Sequence, residues 1–203
     1  MKLFYTPGTS SLFPHIVLYE AGLLFEKVKV DEHTKLTDNG VDYRTINPLG
    51  FVPALQLDDG TVITESAAIV QYIADQVPAK RLAPPNGTLD RTKLQSWLNF
   101  IVSEIQVGCF CPLFHAMTSS AAKTMYRERL ASRVAHIDRH LAQNEYMLGE
   151  NFSLADVYLF VVLNWSRLAK FDLSSHSRVL ELCKKVGARP ATRAAMQAEG
   201  LIV

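Results

Sequence analysis

The chain opens on Lys2-Leu3-Phe4-Tyr5, a short apolar run cut off by Pro7-Gly8, which predicts a strand and a turn. Leu12 to Ala21 carries Ile16, Val17 and Leu18 and stops at Gly22, the pattern of a helix with a glycine C-cap. Glu26-Lys27-Val28-Lys29-Val30 alternates polar and apolar positions, as a half-buried strand does. A polar loop and an ill-defined stretch run on to Pro48-Leu49-Gly50. Ala54-Leu55-Gln56-Leu57 and Thr61-Val62-Ile63 then flank Asp58-Asp59-Gly60, a clear hairpin signal. A helix follows over Ala67–Ile73.

After Pro78 the pattern changes. Pro78, Pro84, Pro85 and Gly87 mark a linker, and beyond it no strand is predicted. Leu94, Leu98, Ile101 and Ile105 form one apolar helical face, and Leu130, Val134, Ile137 and Leu141 form another. Ser153-Leu154-Ala155-Asp156 reads as a capping box, opening the most apolar helix of the chain, through Leu163. Short helices are expected around Val179–Val186 and Ala191–Ala198. The pattern thus predicts an α/β domain over residues 1–78, a linker over 79–88 and an all-helical domain over 89–203. The first domain has the order βαβαββα, its second helix standing for a segment that reads as helix or irregular chain. Its strand–helix–strand start implies a parallel pair with a helical crossover, and the hairpin adds an antiparallel edge.

Composition narrows the function. Twenty-one basic and twenty acidic residues give a net charge of +1, so no global field draws in nucleic acid or an anionic membrane. The apolar start is too short for a leader. Val157–Leu163, the longest later apolar run, falls well short of the ~20 residues that cross a bilayer. Cys109, Cys111 and Cys183 form neither a disulfide framework nor a zinc spacing. Cytoplasm is the expected compartment, with no metal.

Three features offer chemistry. Val52-Pro53 precedes a strand, where a cis bond would turn the Val52 peptide groups outward and a trans proline would simply start the strand. Glu65-Ser66 opens a helix whose free N–H groups favour a carboxylate, or else caps it. Ser10-Ser11 stands before the first helix, where a hydroxyl can donate to an anion or serve as a cap.

Together these residues resemble the cytosolic glutathione transferases, in particular the bacterial beta class, over the whole chain. Phe4–Gly8, Pro14–Leu18, Asn47–Leu55, Thr64–Asp75 and Phe152–Asp156 carry the resemblance. It implies a thioredoxin-like first domain with Pro53 cis, glutathione bound where the two domains meet, and a homodimer. It further implies that Val52 pairs with the cysteinyl backbone, Glu65 and Ser66 hold the γ-glutamyl end, Lys35 approaches the glycyl carboxylate, and Asn99 reaches across from the partner subunit. The beta class usually has cysteine at Ser10 and histidine at Gln106. Without that cysteine, hydroxyl activation of the thiol is expected instead, from Ser10, then Ser11, with Tyr5 as a third candidate. Cys109 and Cys111 are read as small buried apolar residues. Gln106, Phe110, Phe114, His115 and Trp165 are expected to line a site for small hydrophobic electrophiles. The implied activity is glutathione conjugation. A non-catalytic glutathione-binding regulator and a glutathione-dependent isomerase are the alternatives.

Overall fold

The computed structural model describes all 203 residues. They form two compact units, Met1–Leu82 with Ala188–Val203, and Ala83–Gly187.

In the first unit, β1 (Lys2–Tyr5), α1 (Leu12–Ala21), β2 (Glu26–Lys29), β3 (Ala54–Gln56), β4 (Val62–Thr64) and α2 (Ser66–Gln76) follow in order. The four strands make one sheet in the order β2-β1-β3-β4, with β1 parallel to β2 and the other pairs antiparallel. This is the expected mixed sheet. The ambiguous segment after β2 holds only a short 3-10 turn, Tyr43–Thr45, capped by the Asp42 carboxylate on the Arg44 N–H. Alternation along β1 sorts the two faces. Phe4 shares a buried cluster with Val28, Val30, Tyr43 and Ala54, while Tyr5, one position on, packs its ring against His15 of α1. Gly22 ends α1 at φ 69° in the left-handed region, as its glycine stop predicts.

The second unit contains α3 (Leu89–Phe114), α4 (Ser120–Leu141), α5 (Leu154–Leu163) and α6 (Ser177–Gly187). The two predicted apolar faces are buried in full, Leu94, Leu98, Ile101 and Ile105 on α3 and Leu130, Val134, Ile137 and Leu141 on α4. All ten residues of α5 are buried, so this helix is the hub of the unit. Residues 101–110 of α3 wind in a π register, and Gly108 permits it. A Cβ there would stand 2.4 Å from the Ser103 carbonyl oxygen. By length and composition α3 could cross a membrane, but its apolar face packs within the unit. Its Glu104 binds Arg129 and Arg133 of α4 at 2.9 and 2.8 Å.

One expectation needs correction, that Cys111 is buried. Residues 188–203, read with the helical domain, make their contacts in the first unit. There α7 (Pro190–Ala198) packs beside α1. Two contacts fix it: Arg189 grips the Glu20 carboxylate, and Glu199 meets His15 at 2.7 Å with both side chains fully buried. The cysteines also differ from one another. Cys109 is buried, its thiol donating to the Glu104 carbonyl at 3.1 Å, whereas Cys111 is exposed.

Candidate functional site

One end of the sheet gathers the residues that carry chemistry. Phe4 pairs with Ala54, and Ala54 with Thr64. One step further along each strand lie Tyr5, Pro53 and Glu65, so the end of β1, the start of β3 and the end of β4 converge. The turn that carries Ser10 leaves from β1, and α2 begins immediately after Glu65.

The Val52–Pro53 bond is cis. The N–H and C=O of Val52 enter no hydrogen bond within the chain. Such a peptide group must be met by water or a ligand. The loop before it is held firmly: the Phe51 carbonyl accepts from the Tyr43 hydroxyl at 2.9 Å and from Asn47 Nδ2 at 2.7 Å. Burial pushes the Tyr43 pKa up to about 12, so this donor keeps its proton at any physiological pH. Lys35 comes to the same place. Its backbone lies at φ 61°, and its Cδ is 3.6 Å from where a Cβ on Gly50 would stand. That is ordinary contact, so glycine at 50 answers to its φ of 67° and not to crowding by the lysine stem.

Glu65 has φ 68° and ψ 115°, outside the regions that side chains favour, and its carboxylate makes no capping bond to the helix it precedes. A backbone of this kind costs on the order of 1–3 kcal/mol and persists where its surroundings enforce it, commonly at a ligand site. The Glu65 carbonyl takes the Ala68 and Ile69 N–H groups at 3.0 Å each. The N–H groups of Ser66 and Ala67 and the Ser66 hydroxyl have no partner in the chain. An open helix N-terminus beside a free carboxylate can receive both ends of an α-amino acid, the carboxylate on the N–H groups and the ammonium on Glu65.

The two serines of the first turn are not equivalent. Ser11 is fully buried. Its hydroxyl accepts from the Thr6 N–H at 3.1 Å, donates to the Thr6 carbonyl at 3.0 Å and lies 2.9 Å from the Thr9 hydroxyl. Ser10 is half-buried and gives only its carbonyl, which accepts from Phe13 N. Its hydroxyl has no partner in the chain. Tyr5 is 8 % exposed. Burial first, then the nearby Glu199 charge, raise its pKa, so it remains a phenol.

The second unit holds the aromatic candidates. Phe110, Phe114 and Trp165 form one cluster with ring centroids 5.8 to 6.2 Å apart. Phe110 is buried and Phe114 is 44 % exposed, so the cluster has a buried base and an open edge. His115 is engaged elsewhere, its exposed ring accepting from the Met117 N–H at 3.2 Å. Gln106 accepts from the Tyr158 hydroxyl at 2.7 Å. Asn99 is exposed, and its carbonyl accepts from Ser103 Oγ.

Sequence reasoning missed the bracing around the Ser10 turn. Glu199 accepts from the Gly8 N–H at 2.9 Å, and Thr6 donates through its hydroxyl to the Val30 carbonyl at 2.8 Å. A histidine inside the apolar run Pro14–Leu18 was the one available signal, since a buried imidazole needs a partner.

Comparison with known proteins identifies the family. The family model for the N-terminal domain of glutathione S-transferases matches residues 11–76, and that for the C-terminal domain matches residues 120–198. Glutathione S-transferase GstA of Escherichia coli O157:H7 is 41% identical over 201 residues, 99% of this chain and 100% of that protein. Among solved structures, the ternary complex of BphK, a bacterial transferase, has a TM-score of 0.96 at 50% identity, covering 98% of this chain and 100% of that one. A sphingomonad glutathione S-transferase complexed with glutathione has a TM-score of 0.95 at 46% identity, covering both chains in full. The chain belongs to the glutathione S-transferase family.

Proposed function

We propose that the protein is a glutathione transferase of the bacterial beta type, which conjugates the thiolate of glutathione to small hydrophobic electrophiles. The observation that carries this reading is the convergence at one sheet end of the unpaired Val52 peptide group, the strained Glu65 and the open start of α2. A γ-glutamyl tripeptide has matching groups. Its cysteinyl N–H and C=O pair with Val52 beside Pro53. Its ammonium meets Glu65, and its γ-glutamyl carboxylate meets the Ser66 N–H and hydroxyl. Its glycyl carboxylate meets Lys35. The sphingomonad relative, solved with glutathione bound, supports the ligand. Asn99 of a second copy completes the γ-glutamyl end in a homodimer working in the cytoplasm.

Ser10 is the thiol donor. A free thiol titrates near ~8.5. A hydrogen bond to a charged group is worth roughly 1.5–3 kcal/mol, and one pK unit is ~1.36 kcal/mol. One hydroxyl therefore lowers the thiol by about one to two units. The N-terminus of α1 acts in the same direction. The proton leaves to solvent, and the thiolate attacks the electrophile. Serine cannot form the mixed disulfide that a cysteine would, so this is conjugation and not thiol exchange.

Calorimetry tests the glutathione site. Glu65→Ala should weaken glutathione binding by at least about tenfold, because a buried ammonium loses its partner. Unchanged affinity would remove Glu65 from the site.

A further inference from the structure

The turn that carries Ser10 is pinned on both sides. On one side the Ser11 hydroxyl closes on the Thr6 N–H and carbonyl at 3.1 and 3.0 Å. On the other, the Gly8 N–H donates to Glu199 Oε2 at 2.9 Å. Thr9 and Ser10 span the gap between these anchors. Glu199 is itself held. Its Oε1 stands 2.7 Å from His15 Nδ1, and both side chains are fully buried. The His15 ring is boxed in turn by Tyr5, Tyr19 and Phe25, with centroids 5.4 to 5.6 Å away. Two residues further along the tail, Leu201 Cδ2 stands 3.4 Å from where a Cβ on Gly8 would be. The end of the chain thus clasps the turn, and every one of these residues belongs to the first unit. A second tether, Arg189 on Glu20, joins α7 to the far end of α1.

We propose that Glu199 is a positioning residue for the thiol donor: by fixing the Gly8 N–H it aims the Ser10 hydroxyl at the sulfur of glutathione. This rests on the transferase reading above. A hydroxyl stabilises the thiolate only while it points at it, because hydrogen bonds weaken steeply with angle. A donor fixed in advance costs no reorganisation as the charge develops. The charge of Glu199 acts in the opposite sense, since a nearby anion disfavours the thiolate. Loss of position and loss of charge therefore move the thiol in opposite directions.

The test follows the ultraviolet absorbance of the bound thiolate against pH in the full chain. Glu199→Leu, similar in size and without acceptors, should raise the midpoint by about half a unit to one unit. Turnover below the midpoint should fall by about three- to tenfold, with less than about a twofold change in glutathione affinity by calorimetry. Glu199→Asp keeps the charge but is one methylene short of Gly8, and should shift the midpoint the same way. Glu199→Gln keeps an acceptor for Gly8 and a donor for His15, and should stay within about 0.3 unit of wild type. Arg189→Gln cuts the other tether. It should lower the denaturant midpoint and leave the thiolate midpoint in place. A lowered midpoint in both Glu199→Leu and Glu199→Gln would mean that Glu199 acts by charge, and would overturn the positioning role. An equal rise in Arg189→Gln would overturn it as well, since docking of α7 alone would then account for the effect. A wild type whose bound glutathione titrates at ~8.5, as a free thiol does, would overturn the Ser10 reading and this inference with it. A lowered wild-type midpoint that both Glu199→Leu and Glu199→Asp leave in place would overturn this inference alone.

Discussion

Ser10 and Ser11 are chemically identical neighbours before the same helix, and the sequence left the choice between them open. A tertiary detail separates them: the chain turns back at Thr6–Ser11, and the Ser11 hydroxyl closes that turn on both the N–H and the carbonyl of Thr6. Ser11→Ala leaves the part-buried Thr6 N–H without its acceptor, while the Thr6 carbonyl keeps the Thr9 N–H and hydroxyl. It should destabilise the protein by roughly 1–3 kcal/mol, seen as a lower denaturant midpoint at unchanged slope. An unchanged midpoint would show that the Ser11 bonds do not hold the turn. Glu65 was legible as a charge before a helix, but its backbone at φ 68° was not, because nothing in side-chain chemistry announces a positive φ at a glutamate.

Among the elements, those with local signals were readable and those made by distant contacts were not. The Asp58-Asp59-Gly60 hairpin stands with Ala54–Gln56 paired to Val62–Thr64. The capping box opens α5 as its four residues predict, with Asp156 Oδ2 accepting from the Ser153 N–H at 2.7 Å and from Ser153 Oγ at 3.0 Å. The π register of α3 was hidden, because Leu94, Leu98, Ile101 and Ile105 keep an ordinary helical spacing through its onset. Asp156 carries a pH signature. Burial raises its pKa from 3.8 to about 6, against the lowering effect of the Met147 and Ser153 hydrogen bonds. The folded form therefore holds the proton more tightly than the unfolded one. The stability this confers is present below the ordinary carboxylate pKa and is lost as pH rises through about 6. Asp156→Asn removes this titration. The stability difference between wild type and variant should shrink, on the order of 3 kcal/mol at most, between about pH 4 and pH 7. Urea midpoints at the two pH values measure it, and a constant difference would show that Asp156 is ionised throughout.

For the whole molecule, the change of grammar at the linker was legible, but the return of the chain was not. Residues 188–203 have the pattern of any amphipathic helix and tail. Only the partners of Glu199, the His15 ring and the Gly8 N–H, reveal that they complete the first unit. Glu199 thereby braces the turn that presents Ser10. The dimer belongs to this scale as well. Phe51 is 68 % exposed on a loop whose backbone is anchored twice by Tyr43 and Asn47, a fixed apolar side chain suited to a second copy. Two-fold dimers are the commonest soluble oligomers. Light scattering at micromolar concentration should give twice the chain mass. A monomer would contradict the dimer and with it the contribution of Asn99 from the partner.

On our proposal, the Ser10 hydroxyl makes glutathione a thiolate. The ultraviolet absorbance of the thiolate of bound glutathione, followed against pH, measures this directly in wild type, Ser10→Ala, Ser11→Ala and the double variant. The midpoint should rise by about one to two units in Ser10→Ala, with glutathione still bound and turnover reduced. A midpoint that stays in place in both Ser10→Ala and the double variant would contradict hydroxyl activation, and a shift in Ser11→Ala alone would pass the role to Ser11.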